Sequence, residues 1–288
     1  VRARCLSLLV LGVLLGQLDV PSCQAQPASR SFDLESTEVG VTYAIDVVLP
    51  AAAASSDSSR DHLYPAIYCT DWFVLGDYLR SLPRLMDMGR LTEPFVFVGI
   101  SEPGGGHEWA VARTRDFTPA RPSDDYSVQH TYEPAIDSAG GAARFTAFLA
   151  NELVPRIESE FPVDPARRAF AGYSLGALLG THLVVHDPGL FHDFLLGSPS
   201  LWFNDFTLAG EFAGMPAARL ESVDRIYLSV GEEESWEMLR GFGMLRDALE
   251  ARGMEPSRLR AEIIEGAGHV GAMPIALYNG IRFLMQPR

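Results

Sequence analysis

From Ser31 to Pro50 apolar and polar residues alternate on either side of Gly40 (SFDLESTEVGVTYAIDVVLP). A period of two predicts a pair of antiparallel strands joined by a turn. After a polar, alanine-rich stretch (AAAASSDSSRDH) the pattern changes. Unbroken apolar runs, LYPAIYC, PFVFVGI, RRAFAG, DFLLGS and RIYLSVG, now alternate with amphipathic segments of helical length. Runs with no polar face predict strands covered on both sides, as in a parallel sheet. Phe145, Leu149, Leu153 and Ile157 recur every fourth residue and so share one stripe of a helix. Pro155 is expected to kink that helix rather than end it. SWEMLRGFGMLRDALEARG predicts a second long helix, closed near Gly253. Strands alternating with helices predict an α/β fold: a mostly parallel, doubly wound sheet with an antiparallel N-terminal hairpin at its leading edge. No linker or composition break interrupts residues 26–288, which read as one domain. One stretch departs from the alternation. Ser101 to Ser138 holds Gly104, Gly105, Gly106, four prolines and few apolar runs. It is expected to be a long functional loop after a strand, where open α/β sheets bind their ligands.

Composition narrows the class. Lys and Arg number 23 against 37 Asp and Glu, a formal net charge of −14. That field opposes binding to nucleic acid or an anionic membrane surface, and an anionic ligand would need a local arginine cluster. Arg2 and Arg4 precede the apolar run CLSLLVLGVLLGQL, followed by Pro21 and SCQAQ. This is the pattern of a secretory signal over residues 1–25 with a cut after Ala25, and the run is short for a membrane span. The expected location is periplasmic or secreted. Lipidation at Cys23 is the alternative. Of Cys5, Cys23 and Cys69, only Cys69 survives the cut, so no internal disulfide is expected. At the end of a strand-like run it reads as a buried structural thiol.

The chemistry centres on Gly172-Tyr173-Ser174-Leu175-Gly176. RRAFA before it reads as a strand and LGALLGTHLVV after it as a helix, the context in which G-x-S-x-G forms a nucleophile elbow. The helix N-terminus then points at Ser174, and the Leu175 N–H at an oxyanion. A serine hydroxyl needs a base, and in this kind of site the chain order is Ser, acid, His. His62, His107 and His130 come too early, His182 and His186 lie on the helix after the elbow, and His192 precedes a strand. His269, in IIEGAGHVGAMP, falls after a strand on a flexible glycine-rich loop, from which it can reach the elbow. The acid is expected after RIYLSVG, where Glu232, Glu233 and Glu234 follow in succession. Glu234 is the choice, although spacing alone does not separate the three. A second oxyanion donor is expected from the backbone around Asp71, Trp72 and Phe73, with Trp72 favoured. Ser101 to Ser138, with Trp109, Arg113 and Arg115, is expected to wall the pocket together with Trp202. No metal or cofactor is called for.

LYPAIYCTDW, RTRDFTP, FLANELVPRIESEFPVDPARRAFAGYSLGALLG and GSPSLWF together resemble the putative-esterase branch of the α/β-hydrolases, which includes siderophore trilactone esterases. The resemblance runs from about Leu34 to the C-terminus. It implies cofactor-free hydrolysis of a small-molecule carboxylic ester, with Ser174 and His269 at the nucleophile and base positions. Glu234 stands where many relatives carry an acid, and some trilactone esterases work as a Ser–His dyad. Arg113 and Arg115 match a motif that supplies an arginine to anionic siderophores; a brace against Asp116 or another acid is the competing role. Two other functions fit the same residues. One is an exported carbohydrate esterase removing feruloyl or acetyl groups, the other a non-catalytic binding protein on a hydrolase scaffold.

Overall fold

The computed structural model describes residues 29–54, 62–122 and 133–287. The expected signal segment, its cut after Ala25 and Cys23 lie outside the described residues. Among the described residues eight strands, β1 (Ser29–Glu35), β2 (Thr42–Val48), β3 (Tyr64–Cys69), β4 (Val96–Ser101), β5 (Val163–Tyr173), β6 (Asp193–Gly197), β7 (Arg225–Gly231) and β8 (Leu259–Ile264), form one sheet. Its order is β1-β2-β4-β3-β5-β6-β7-β8. β1 pairs antiparallel with β2, and β2 with β4; every later pairing is parallel. The helices are α1 (Ala51–Ala54), α2 (Trp72–Leu79), α3 (Leu82–Met88), α4 (His107–Phe117), α5 (Glu133–Ile136), α6 (Ala142–Phe148), α7 (Val154–Glu160), α8 (Leu175–His186), α9 (Thr207–Gly214), α10 (Trp236–Ala251) and α11 (His269–Leu284).

The apolar strands are unbroken because both faces are covered. Along β3, Tyr64, Ala66 and Tyr68 enter one core with α6, α7, α8 and α10. Ile67 and Cys69 enter a second core with α2, α3 and α11 on the opposite face. Alternate side chains of a strand point to opposite faces, so a strand between two helical layers needs no polar positions. Cys69 is fully buried, and burial raises its thiol pKa well above the ordinary value, with Asp71 and Glu102 adding to the shift.

Phe145, Leu149, Leu153 and Ile157 are all fully buried on one stripe, worth roughly 1.5–3 kcal/mol each in transfer free energy. Pro155, in the first turn of α7, has no N–H for the preceding turn. The chain widens into a π-helical turn at Leu149–Leu153 and continues into α7.

Two elements differ from the sequence expectation. The stretch Ser101 to Ser138 is not simply a loop, because it contains the 11-residue helix α4. Its inward face carries Arg113 and Asp116 beside Ala112 and Phe117, all buried, so paired charges replace the apolar period that would have marked the helix. His269 lies not on a flexible loop but as the first residue of the 16-residue helix α11.

Candidate active site

β4 and β5 lie on opposite sides of β3, so the chain connections diverge there and leave a crevice beyond the C-terminal ends of β3 and β5. Ser174 occupies the turn between β5 and α8 with φ 59° and ψ −117°, a conformation costly for a residue with a Cβ. The surroundings enforce it. The Ser174 N–H donates to the Gly197 carbonyl (2.9 Å), and its own carbonyl accepts from Ala177 (3.1 Å), Leu178 (3.0 Å) and Ser200 (3.2 Å). A Cβ on Gly172 would stand 2.2 Å from the Gly176 carbonyl oxygen, and one on Gly176 would stand 2.6 Å from Thr70 Oγ1. Both glycines of G-x-S-x-G are therefore required by close packing: Gly172 against the elbow itself, Gly176 against the β3–α2 turn. Leu175 begins α8, where the first N–H groups have no intrahelical acceptor. Trp72 stands in the same position at the start of α2, after Asp71 in the left-handed region (φ 56°). The two helix N-termini flank one crevice. The Trp72 indole points away from it, buried and donating to Asp46 Oδ2 (2.7 Å).

His269 enters from α11. Its Nδ1 lies 2.6 Å from Glu234 Oε2, and the glutamate side chain is almost completely buried while the imidazole is 42% exposed. Glu234 Oε1 accepts from Ser198 Oγ (2.6 Å) and from the Gly231 N–H (2.8 Å). Burial alone would raise the pKa of this carboxyl; the hydrogen bonds from His269, Ser198 and Gly231 outweigh burial and hold it below the ordinary value. Glu232 and Glu233 are exposed, and Glu232 accepts instead from the Gly266 N–H (2.8 Å). Of the three consecutive glutamates, the structure brings only Glu234 to the histidine.

Ser174 and His269 line one pocket of about 120 Å3 with Asp71, Val74, Leu75, Trp109, Arg113, Tyr173, Val270 and Met273. Arg113 is deeply buried there and doubly paired, Nε to Asp71 Oδ1 (2.8 Å) and Nη2 to Asp71 Oδ2 (2.9 Å). The fork-to-fork geometry commits two of its donors to the β3–α2 turn. Glu102 joins them, accepting from the Asp71 N–H (3.1 Å) and from Trp109 Nε1 (3.2 Å). Burial, reinforced by the Asp71 charge, pushes the Glu102 pKa up to about 8. Arg115 is placed elsewhere, bound by both its Nε and Nη2 to Asp116 (2.7 and 2.9 Å) and reaching Tyr43. Trp202 is partly buried against the core beside Phe203 and does not line this pocket. Among the described residues no group of three or more His, Cys, Asp or Glu is placed to hold a metal ion, and no helix is long and apolar enough to cross a membrane.

Three residues at the site carried no role in the sequence reading, Glu102, Ser198 and Ser200, and Asp71 entered it only for its backbone and not for the carboxylate that pairs with Arg113. Ser200 Oγ lies 3.2 Å from Ser174 Oγ, and Ser198 touches Glu234. Both fall in GSPSLWF, but only the turn after β6, with Ser198 at φ 43°, aims their hydroxyls at the site.

Residues 36–242 match the family model described as "Putative esterase". The chain is 28% identical over 290 residues to ferri-bacillibactin esterase BesA of Bacillus subtilis, covering 90% of this chain and 93% of the relative. It is 29% identical over 248 residues to siderophore triacetylfusarinine C esterase of Aspergillus fumigatus, covering 84% and 80%. Among solved structures, siderophore hydrolase EstA from Aspergillus nidulans matches with a TM-score of 0.69 at 25% identity, covering 89% and 94%. The chain belongs to this esterase family, carboxylic ester hydrolases built on the α/β-hydrolase fold.

Proposed function

We propose that this esterase works through Ser174 as nucleophile, His269 as general base and Glu234 as the group that orients the base, on siderophore-like esters. The observation that carries the reading is the 2.6 Å contact between His269 Nδ1 and buried Glu234, made beside the pocket that Ser174 lines. With Nδ1–H donated to the carboxylate, Nε2 is left to accept the Ser174 proton as the hydroxyl attacks the ester carbonyl. The ion pair with Glu234 also offsets the unfavourable α11 dipole when the ring becomes imidazolium. The N–H groups of Leu175 and Trp72 face the developing oxyanion, a donor of this kind being worth roughly 3–4 kcal/mol. His269 returns its proton to the leaving alkoxide, and a water activated by the same imidazole then releases the acyl group.

The two relatives, an esterase of ferri-bacillibactin and one of triacetylfusarinine C, support the substrate class. A pocket of about 120 Å3 holds one ester arm, so the body of a large ester would rest on the rim, where Val74 and Val270 are exposed. Arg113 is committed to Asp71, so its substitution would disturb the β3–α2 turn as well as any anionic ligand. Export through residues 1–25 belongs to the same reading and rests on the charge and hydropathy pattern there.

Ser174→Ala is expected to abolish hydrolysis of a p-nitrophenyl ester, and a fluorophosphonate to label Ser174 in the wild type. Retained turnover in the variant would overturn the assignment. A panel of a catecholate trilactone, a feruloyl ester and simple acyl esters tests the substrate class. Preference for the feruloyl ester would replace it.

A further inference from the structure

The base is held from two sides. Glu234 grips the imidazole, and Tyr173 Oη donates to the His269 carbonyl (2.5 Å). Ser198 joins the two arms, its Oγ lying 2.6 Å from Glu234 Oε1 and 2.8 Å from Tyr173 Oη. The hydrogen bonds close a ring from Ser198 to Glu234 to His269 to Tyr173 and back. A hydroxyl carries one proton, and the carboxylate is the charged acceptor, so the Ser198 proton belongs to Glu234. The Tyr173 proton then faces two acceptors, the His269 carbonyl and the Ser198 oxygen. Ser198 itself is fully buried in the left-handed region and anchored by its N–H to the Ser229 carbonyl (2.8 Å), so its hydroxyl is aimed by backbone and not by chance rotation.

We infer that Ser198 is a positioning residue that sets the basicity of His269 through Glu234. This rests on the Ser174–His269–Glu234 reading and deepens it. Each hydrogen bond accepted by a carboxylate withdraws charge from it. With Ser198 donating, Glu234 holds the imidazolium less tightly than a carboxylate with one donor fewer would. Removing the hydroxyl therefore concentrates charge on Glu234, stabilises the imidazolium and raises the pH at which the base becomes available. The other charged or titratable groups facing the imidazole are Tyr173 from β5, Asp71 from the β3–α2 turn and Arg113 from α4. Asp71 and Arg113 neutralise one another, and Glu232 and Glu233 on the α10 side are exposed to solvent.

The test measures pH profiles of kcat/KM for Ser198→Ala, Ser198→Gly and Tyr173→Phe, with thermal melts as a check on folding. Alanine and glycine both delete the hydroxyl but act oppositely on a left-handed backbone, which glycine relieves. Both are expected to move the acid limb upward by about half a pH unit with KM little changed. Tyr173→Phe should lower kcat without moving the limb, because the phenol holds the histidine backbone and does not donate to Glu234. An unmoved or lowered acid limb in both Ser198 variants, or a limb that moves in only one, overturns the inference. If Ser174→Ala remains active, the site reading fails first; if it is dead while the Ser198 limbs stay still, only this inference fails.

Discussion

Replacing Glu234 with glutamine should damage the enzyme more than replacing it with alanine. Oε1 accepts from the Ser198 hydroxyl and from the Gly231 N–H, which is backbone and cannot turn away. The amide oxygen of a glutamine must take that place, which sets its NH2 group 2.6 Å from His269 Nδ1. Nδ1 then has to accept, the ring proton moves to Nε2, and Nε2 can no longer take a proton from Ser174. Restoring the working tautomer means flipping the amide and facing its NH2 against the Gly231 N–H and the Ser198 hydroxyl. The Gly231 N–H loses its acceptor and faces a second donor, at roughly 1–3 kcal/mol, while Ser198 turns its proton to Tyr173 Oη (2.8 Å). A cost near the top of that range predicts a loss of about 10²-fold in kcat. Glu234→Ala removes the clash along with the orienting group, leaves either tautomer accessible, and should retain at least about tenfold more activity than the glutamine variant. Steady-state hydrolysis of a p-nitrophenyl ester, with a thermal melt to confirm folding, measures both. A glutamine variant within tenfold of wild type, or more active than the alanine variant, would refute the tautomer argument and favour a Ser–His dyad.

Three further outcomes follow from the same coordinates. Glu102, neutral in the fold up to a pH of about 8, ionises near the ordinary carboxylate value when unfolded, so the native state binds more protons in between and stability falls as pH rises through that window. Glu102→Gln should flatten this slope in melts recorded from pH 5 to 9; parallel curves for the two proteins would show Glu102 already charged at neutral pH. Arg113→Met strands the buried Asp71 carboxylate and should cost about 3–5 kcal/mol, a fall in Tm on the order of 10 °C, partly recovered by adding Asp71→Asn. An unchanged Tm would mean that the pair is not formed. Gly172→Ala should be worse for both Tm and kcat than Gly176→Ala, because its Cβ meets backbone at 2.2 Å whereas that of Gly176 meets the Thr70 side chain at 2.6 Å. The reverse order would exclude backbone crowding as the reason for Gly172.

Local patterning determined much of this protein. Apolar runs with no polar face announced the parallel strands, the four-residue stripe through Phe145 and Ile157 announced the buried helix, and glycines around Ser174 announced the elbow, because each depends on neighbours a few residues apart. The helix α4 escaped notice because Arg113 and Asp116 fill core positions, and charges enter a core only when partners arrive from elsewhere in the chain, here Asp71 and Tyr43. Three consecutive glutamates are indistinguishable by spacing; the turn after β7 buries one and leaves two in water. Ser198 and Ser200 were in view as letters, yet nothing local says where a hydroxyl points. Sequence alone therefore determined which segments are strands, which are helices and which serine sits on the elbow. Tertiary structure alone decided which carboxylate meets His269 and which hydroxyls meet the site, because hydrogen bonds are directional and join residues far apart in the chain, as Tyr173 and His269, about a hundred positions apart, are.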